Sequence, residues 1–256
     1  MKTHTLPKTG LSARVGLLGD ADLADVLALQ EVTRAALPDD KKTFMLMQSE
    51  SYFQNLLAQK TGVMIGVRSE QGTLIAQMAL MGHMELREAI ARRLITSNDV
   101  PFHHAALTDN VVVCKSMAAH PDWRGNDLAN TLVTFALSLP FTQAAAHIFA
   151  QISVGNKRSW GVFAKNGFGI VAAAYDPKDG QPRFIFQKPL FGFDFSREII
   201  ADDVVPCEDF PAIINLTQRE AMVGVYDETS AGKLAFRQSH EVLNLMPTLA
   251  RVNSRG

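Results

Sequence analysis

The run NVVVCKSMAA, Asn110 to Ala119, constrains this chain more than any other stretch. It is apolar at consecutive positions, so both of its faces need cover, and it reads as a central strand. It leads directly into HPDWRGND, His120 to Asp127, and then into LANTLVTFAL, whose apolar residues fall at helical spacing. Leu128, Leu132, Phe135, Ala136 and Leu139 form the expected buried stripe, and Pro140 stops the helix.

Other segments extend the pattern. An amphipathic helix spans ADLADVLALQEVTRAAL, capped by Asp20 or Asp22 and ended by Pro38. A second helix, SESYFQNLLAQK, begins at Ser49. GVMIGVRS and GTLIAQMALMG read as strands joined by a turn at Glu70 to Gly72. ELREAIARRLI reads as a charged amphipathic helix, followed by a loop with Pro101, His103 and His104. AAHIFAQIS is a further central strand, and NKRSWGVFAKNGF a short helix closing at Gly167 in a left-handed terminal position. GIVAAAY and RFIFQKPL are two more strands. Strands alternating with helices make the fold mixed α/β. The main domain is expected over residues 1–190. Residues 191–256 form an extension; its first part, 191–228, has acidic loops and two prolines, and its apolar content argues against disorder.

Bulk properties exclude several function classes. The chain has 256 residues, a formal net charge of -1, 47% hydrophobic and 20% charged residues. That is enough apolar material for a sizeable core, with no basic footprint for nucleic acid or an anionic membrane. Cys114 and Cys207 lie far apart, and no Cys/His spacing suits zinc, so neither a disulfide framework nor a metal site is expected. The opening MKTHTLPKTG lacks the apolar core of a signal peptide, and no apolar run reaches the roughly 20 residues of a spanning helix. The expected location is cytoplasmic, with no membrane partner.

The turn at Arg124 carries the chemistry. A helix N-terminus offers unsatisfied N–H groups and about half a positive charge. Gly125 leaves the backbone bare and Arg124 supplies a cation, so the segment can cradle a diphosphate. The plainer alternative is a capped helix after a surface turn.

These residues resemble motif A of the GNAT superfamily of acyl-CoA-dependent N-acyltransferases, Arg/Gln-x-x-Gly-x-Gly/Ala. Here the turn reads Arg124-Gly125-Asn126-Asp127-Leu128-Ala129, approached by HPDW. ISVGNKRSWGVFAKNGF resembles the family's motif B, through Asn156 and the ending Lys165-Asn166-Gly167-Phe168. The resemblance runs from about Ala13 to Leu190. It implies a central, mostly antiparallel sheet with splayed central strands, flanked by helices, and acetyl-CoA as co-substrate. It implies backbone hydrogen bonds from Lys115, Ser116, Met117 and Ala118 to the pantetheine arm. The amides of Arg124, Gly125, Asn126, Asp127, Leu128 and Ala129 would wrap the diphosphate, and Asn156 would touch pantetheine.

Two positions depart from the family pattern. Asp127 replaces the middle glycine of motif A. A carboxylate there repels an anion, whereas Asp is also a strong N-cap, and the capping reading is preferred. Phe163 stands on the coenzyme side of motif B where many members carry a tyrosine that protonates the leaving thiolate. Phenylalanine cannot donate, and Phe163 reads most simply as core. Ser159, one helical turn earlier, and Tyr175 are substitute hydroxyls. Asp109 and Glu85 are candidate bases acting through water. Each has a plainer reading: Ser159 as a surface or capping serine, Tyr175 as a half-buried strand aromatic, and Asp109 and Glu85 as solvated loop charges. No nucleophile elbow is visible, so a covalent acyl-enzyme is disfavoured. The expected reaction is direct attack by a primary amine, most simply that of a small molecule. A catalytically impaired coenzyme-binding domain is the alternative. The extension is expected to wall the acceptor side or to make a homodimer contact.

Overall fold

Residues 2–17 carry no strand expectation, yet they open the fold. Lys2–Thr5 (β1) and Ser12–Leu17 (β2) pair antiparallel, with Thr5 opposite Ser12. The computed structural model describes residues 2–60, 62–82, 111–145, 147–176, 179–189, 203–218, 222–226 and 233–238. The expected helix over ELREAIARRLI and the loop with His103 and His104 lie outside the described residues. Two compact units make up the chain: Met1–Glu85 with Val112–Ala145, and Leu86–Val111 with Ala146–Gly256.

In the first unit, β2 is followed by Gly62–Ser69 (β3), Leu74–Gly82 (β4) and Val111–Ala119 (β5). Their order is β1-β2-β3-β4-β5, each neighbouring pair antiparallel. The β3–β4 turn is where Gly72 predicts it, because its φ of +87° suits glycine. Leu23–Ala35 (α1) and Glu50–Leu57 (α2) supply Val26, Leu29, Phe53, Leu56 and Leu57 to a core with Met64, Ala79, Met81 and Ala118. Each large buried side chain there contributes about 1.5–3 kcal/mol. Ser49 caps α2 by accepting from Tyr52 N–H at 3.2 Å. Asp22 occupies the cap position of α1 but does not cap it. Its carboxylate accepts from Gly19 N–H at 2.8 Å and pairs with Arg68 of β3.

The helix after β5, Leu128–Leu137 (α3), packs on β2, β3 and β4. Its buried residues are Leu128, Thr131, Leu132, Val133 and Ala136. Phe135 and Leu139, expected in that stripe, are only half-buried, and the Lys2 ammonium lies 5.9 Å from the Phe135 ring centroid. Pro140 ends α3 by starting a short separate helix, Pro140–Gln143 (α4).

The second unit holds His147–Ser153 (β6), Lys157–Lys165 (α5), Gly169–Tyr175 (β7), Pro182–Pro189 (β8), Asp203–Pro206 (β9), Phe210–Gln218 (α6), Met222–Tyr226 (β10) and Lys233–Gln238 (β11). Its strands run β6-β8-β7-β10-β11-β9, with antiparallel neighbours. The described part of residues 191–256 therefore lengthens this sheet, joining it where Gly224 pairs with Ile170. Trp160 of α5 is fully buried, donates from Nε1 to the Ser153 carbonyl at 3.1 Å, and meets the rings of Phe184 and Tyr226. Among the described residues, no helix is long and apolar enough to cross a membrane. The architecture is mixed α/β, with a mostly antiparallel sheet flanked by helices.

Gly62 tests the packing of β3 on β4. A Cβ there would stand 2.0 Å from the Leu80 carbonyl oxygen, which the ladder holds in place. Gly62→Ala is expected to cost at least about 2 kcal/mol, read from the urea midpoint; an unchanged midpoint would remove the close approach.

Candidate functional site

The end of β5 is irregular. Lys115 pairs with Ala79 and Ala118 with Gln77, so Met78 alone faces both Ser116 and Met117. One residue against two is a β-bulge, and Ser116 takes a φ of +50° there. Before the bulge, Val111 to Cys114 are buried and Lys115 is exposed; within it Ser116 and Met117 are half-buried. Burial pushes the Cys114 thiol well above its ordinary range, so it offers no thiolate nucleophile. At the bulge the Tyr52 hydroxyl lies 3.3 Å from Ser116 Oγ and 3.3 Å from Met81 Sδ. Nothing in the sequence singled out Tyr52, which reads simply as part of the apolar face of α2.

Beyond β5 the chain makes a short 3-10 turn, Pro121–Trp123. His120 N–H donates to the Ile75 carbonyl at 2.9 Å, and its Nδ1 accepts from Asp122 N–H at 3.3 Å. His120 is thus a turn residue. Arg124 is extended and exposed, and Gly125 has a φ of +86°. Asn126 is buried, at 1% exposure. Its Nδ2 donates to the Trp123 carbonyl at 3.1 Å, and its Oδ1 accepts from Lys8 N–H at 3.0 Å. The backbone then turns left-handed again at Asp127, with φ 55° and ψ 27°, before α3 begins.

Asp127 corrects the preferred capping reading. It occupies the N-cap position, but its side chain makes no capping hydrogen bond. Its carboxylate accepts from Asn130 Nδ2 at 2.8 Å, while its carbonyl accepts from Thr131 N–H at 3.0 Å. The φ explains the glycine of the motif, since glycine adopts that region freely. Asp is among the few other residues that do so at modest cost.

Two left-handed residues fold the main chain into a concave turn of the kind that gathers N–H donors. Among the described residues, nothing accepts from the N–H groups of Gly125, Asn126, Asp127, Leu128 or Ala129. Among the described residues, an added Cβ on Gly125 would meet only Lys8 Cδ, at 3.3 Å. Free amides, a bare backbone and the Arg124 guanidinium together form a donor set that fits a diphosphate.

Lys115 to Ala118 and Arg124 to Ala129 thus share one strand–turn–helix of the first unit. Ser159 and Phe163 lie on α5 of the second, and Asn156 stands at its N-cap. Asn156 caps α5: its Oδ1 accepts from Ser159 N–H at 3.4 Å, which engages the oxygen of an amide expected to serve a ligand. Phe163 is 3% exposed and packs edge-on to Phe168 and against Phe186, a core position. Tyr175 is 58% exposed and meets the Phe210 ring edge-on, so it is not the half-buried strand aromatic its sequence suggests. Glu85 and Asp109 lie outside the described residues. Among the described residues, no three His, Cys, Asp or Glu side chains stand together as a metal site.

A sequence model of the acetyltransferase (GNAT) family matches residues 30–168. No curated protein matches the chain. Among solved structures, an N-acetyltransferase from Staphylococcus aureus superposes with a TM-score of 0.50 at 12% identity, covering 70% of this chain and 99% of its own. The GNAT domain of S. lividans PAT gives 0.51 at 14% identity, over 73% of this chain and 96% of that one. The diaminobutyrate acetyltransferase of Paenibacillus lautus, solved with L-2,4-diaminobutyric acid and coenzyme A, gives 0.50 at 13%, over 72% and 99%. At these identities the likeness is one of fold.

Two substitutions test the turn. Asn126→Ala leaves a main-chain N–H and a carbonyl without partners and is expected to cost about 2 kcal/mol in urea unfolding. Asp127→Ala should be less stable than Asp127→Gly by about 1 kcal/mol, because alanine pays the left-handed cost that glycine does not. The reverse order of midpoints would contradict the left-handed backbone at this position.

Proposed function

Because the chain belongs to the acetyltransferase (GNAT) family, we propose that it moves an acetyl group from acetyl-CoA to a primary amine. The observation that carries this reading is the run of N–H groups from Gly125 to Ala129, next in sequence to the exposed Arg124, that find no acceptor among the described residues. In this reading those amides hold the coenzyme diphosphate, and the main chain of Lys115 to Ala118 flanks the pantetheine arm. The exposed Lys115 and half-buried Ser116 and Met117 of β5 support that placement.

Acetyl-CoA supplies an activated thioester. In the transfer the amine nitrogen bonds to the carbonyl carbon, the carbon–sulfur bond breaks, and the proton lost by the amine is balanced by the one the departing thiolate gains. Attack is direct, within a ternary complex. The inert Cys114 agrees with that route. Phe163 provides no proton, but a thiol with a pKa of about 8.5 leaves tolerably as its anion at neutral pH. The acceptor we propose is a small-molecule amine.

The buried Phe163 also favours a second reading, a coenzyme-binding domain with impaired catalysis. Calorimetric titration with acetyl-CoA and thiol release over a panel of amines separate the two. Saturable binding with turnover on at least one amine supports transfer; saturable binding without turnover on any supports the second reading. Gly125→Glu, which fills the turn with a charged side chain at φ +86°, should reduce coenzyme affinity at least about 100-fold. Unaltered affinity would move the site elsewhere.

A further inference from the structure

The β1–β2 loop is built rigidly and docks on the turn. Leu6 is fully buried, its N–H donates to the Leu11 carbonyl at 2.8 Å, and Gly10 N–H returns to the Leu6 carbonyl at 2.8 Å. A left-handed φ of +70° at Gly10 closes the loop. At its tip, Lys8 N–H is the group that fills Oδ1 of the buried Asn126. The Lys8 stem then runs beside Gly125, close enough that a Cβ on that glycine would lie 3.3 Å from Lys8 Cδ. The side chain is exposed, so the ammonium is free to swing over the same bare backbone that Arg124 borders.

We propose that Lys8 is a second cation of the diphosphate site, delivered by the N-terminal hairpin rather than by the turn itself. The proposal rests on the reading of Arg124 to Ala129 as the diphosphate cradle. It accounts for Asp127 in chemical terms. The exposed Asp127 carboxylate adds negative charge at the mouth of α3, and a lysine across Gly125 offsets it where an anion must approach. The geometry also separates structure from binding. The hairpin is pinned by the main-chain N–H of Lys8, which any residue but proline retains; the side chain is left for the ligand.

The test is calorimetric titration of coenzyme A, and of 3′-dephospho-coenzyme A, into the wild type, Lys8→Ala and Lys8→Arg. Lys8→Ala should weaken both ligands about tenfold at 50 mM salt with an unchanged melting temperature. Lys8→Arg should stay within about threefold of wild type. The deficit should shrink at 1 M salt, where the Debye length falls to about 3 Å. Equal affinity of wild type and Lys8→Ala overturns the proposal, as does a deficit that ignores salt. A deficit confined to the 3′-phosphorylated ligand overturns the assignment to the diphosphate. A wild type that binds neither ligand sinks the cradle itself, a failure distinct from that of Lys8.

Discussion

The first unit turns on one buried amide. At 1% exposure, each polar group of the Asn126 amide left without a hydrogen bond would cost about 1–3 kcal/mol. The amide is satisfied on one side by Trp123 and on the other by Lys8, from opposite ends of the unit's sequence. The consequence is indirect. Because a side chain helps hold the turn together, the main-chain N–H groups from Gly125 to Ala129 find no acceptor among the described residues, whereas that of Arg124, expected in the cradle, donates to the Pro121 carbonyl at 3.3 Å. A turn closed by its own backbone hydrogen bonds would have the same shape in outline and little capacity to hold an anion.

The left-handed residues on either side of Asn126 follow from the same constraint. For the amide to reach inward, the chain must bend sharply before and after it, and Gly125 and Asp127 absorb the bend. Glycine does this freely; aspartate does it at a modest cost and adds a charge. The interaction with Asn130 ties that charge to the first turn of α3, where the helix dipole favours it. The same charge opposes an incoming anion, and that repulsion is what the proposed Lys8 cation would offset.

The bulge of β5 plays a comparable part in the strand. By opposing Ser116 and Met117 to Met78 alone, it interrupts the ladder after four buried residues. It also brings the Ser116 hydroxyl to Tyr52, although the motif-B position that carries a hydroxyl in many relatives holds the buried Phe163 here. In the second unit, the described strands after residue 200 pair with β7 and with each other. They add to an existing sheet instead of building a separate one.

What is written in neighbouring residues was legible before any coordinates. The doubly apolar run of β5, the helical spacing after Leu128, the helix start at Ser49, the glycines at 72, 125 and 167 and the strand–turn–helix order all follow from local period and backbone preference. The mixed α/β class and the phosphate-type turn come from these alone. Other features needed the folded chain: Lys8 against Asn126, Tyr52 against Ser116, the side-chain partner of Asp127, the strand at Lys2–Thr5 and the pairing of Gly224 with Ile170. The physical reason is common to most of them. Periodicity and dihedral preference are properties of a short stretch, whereas the partner of a polar side chain or a strand edge is whatever packing brings within about 3 Å. The sequence by itself determined where the backbone would be bare and turned. Only the tertiary structure decided which distant residues keep that turn open.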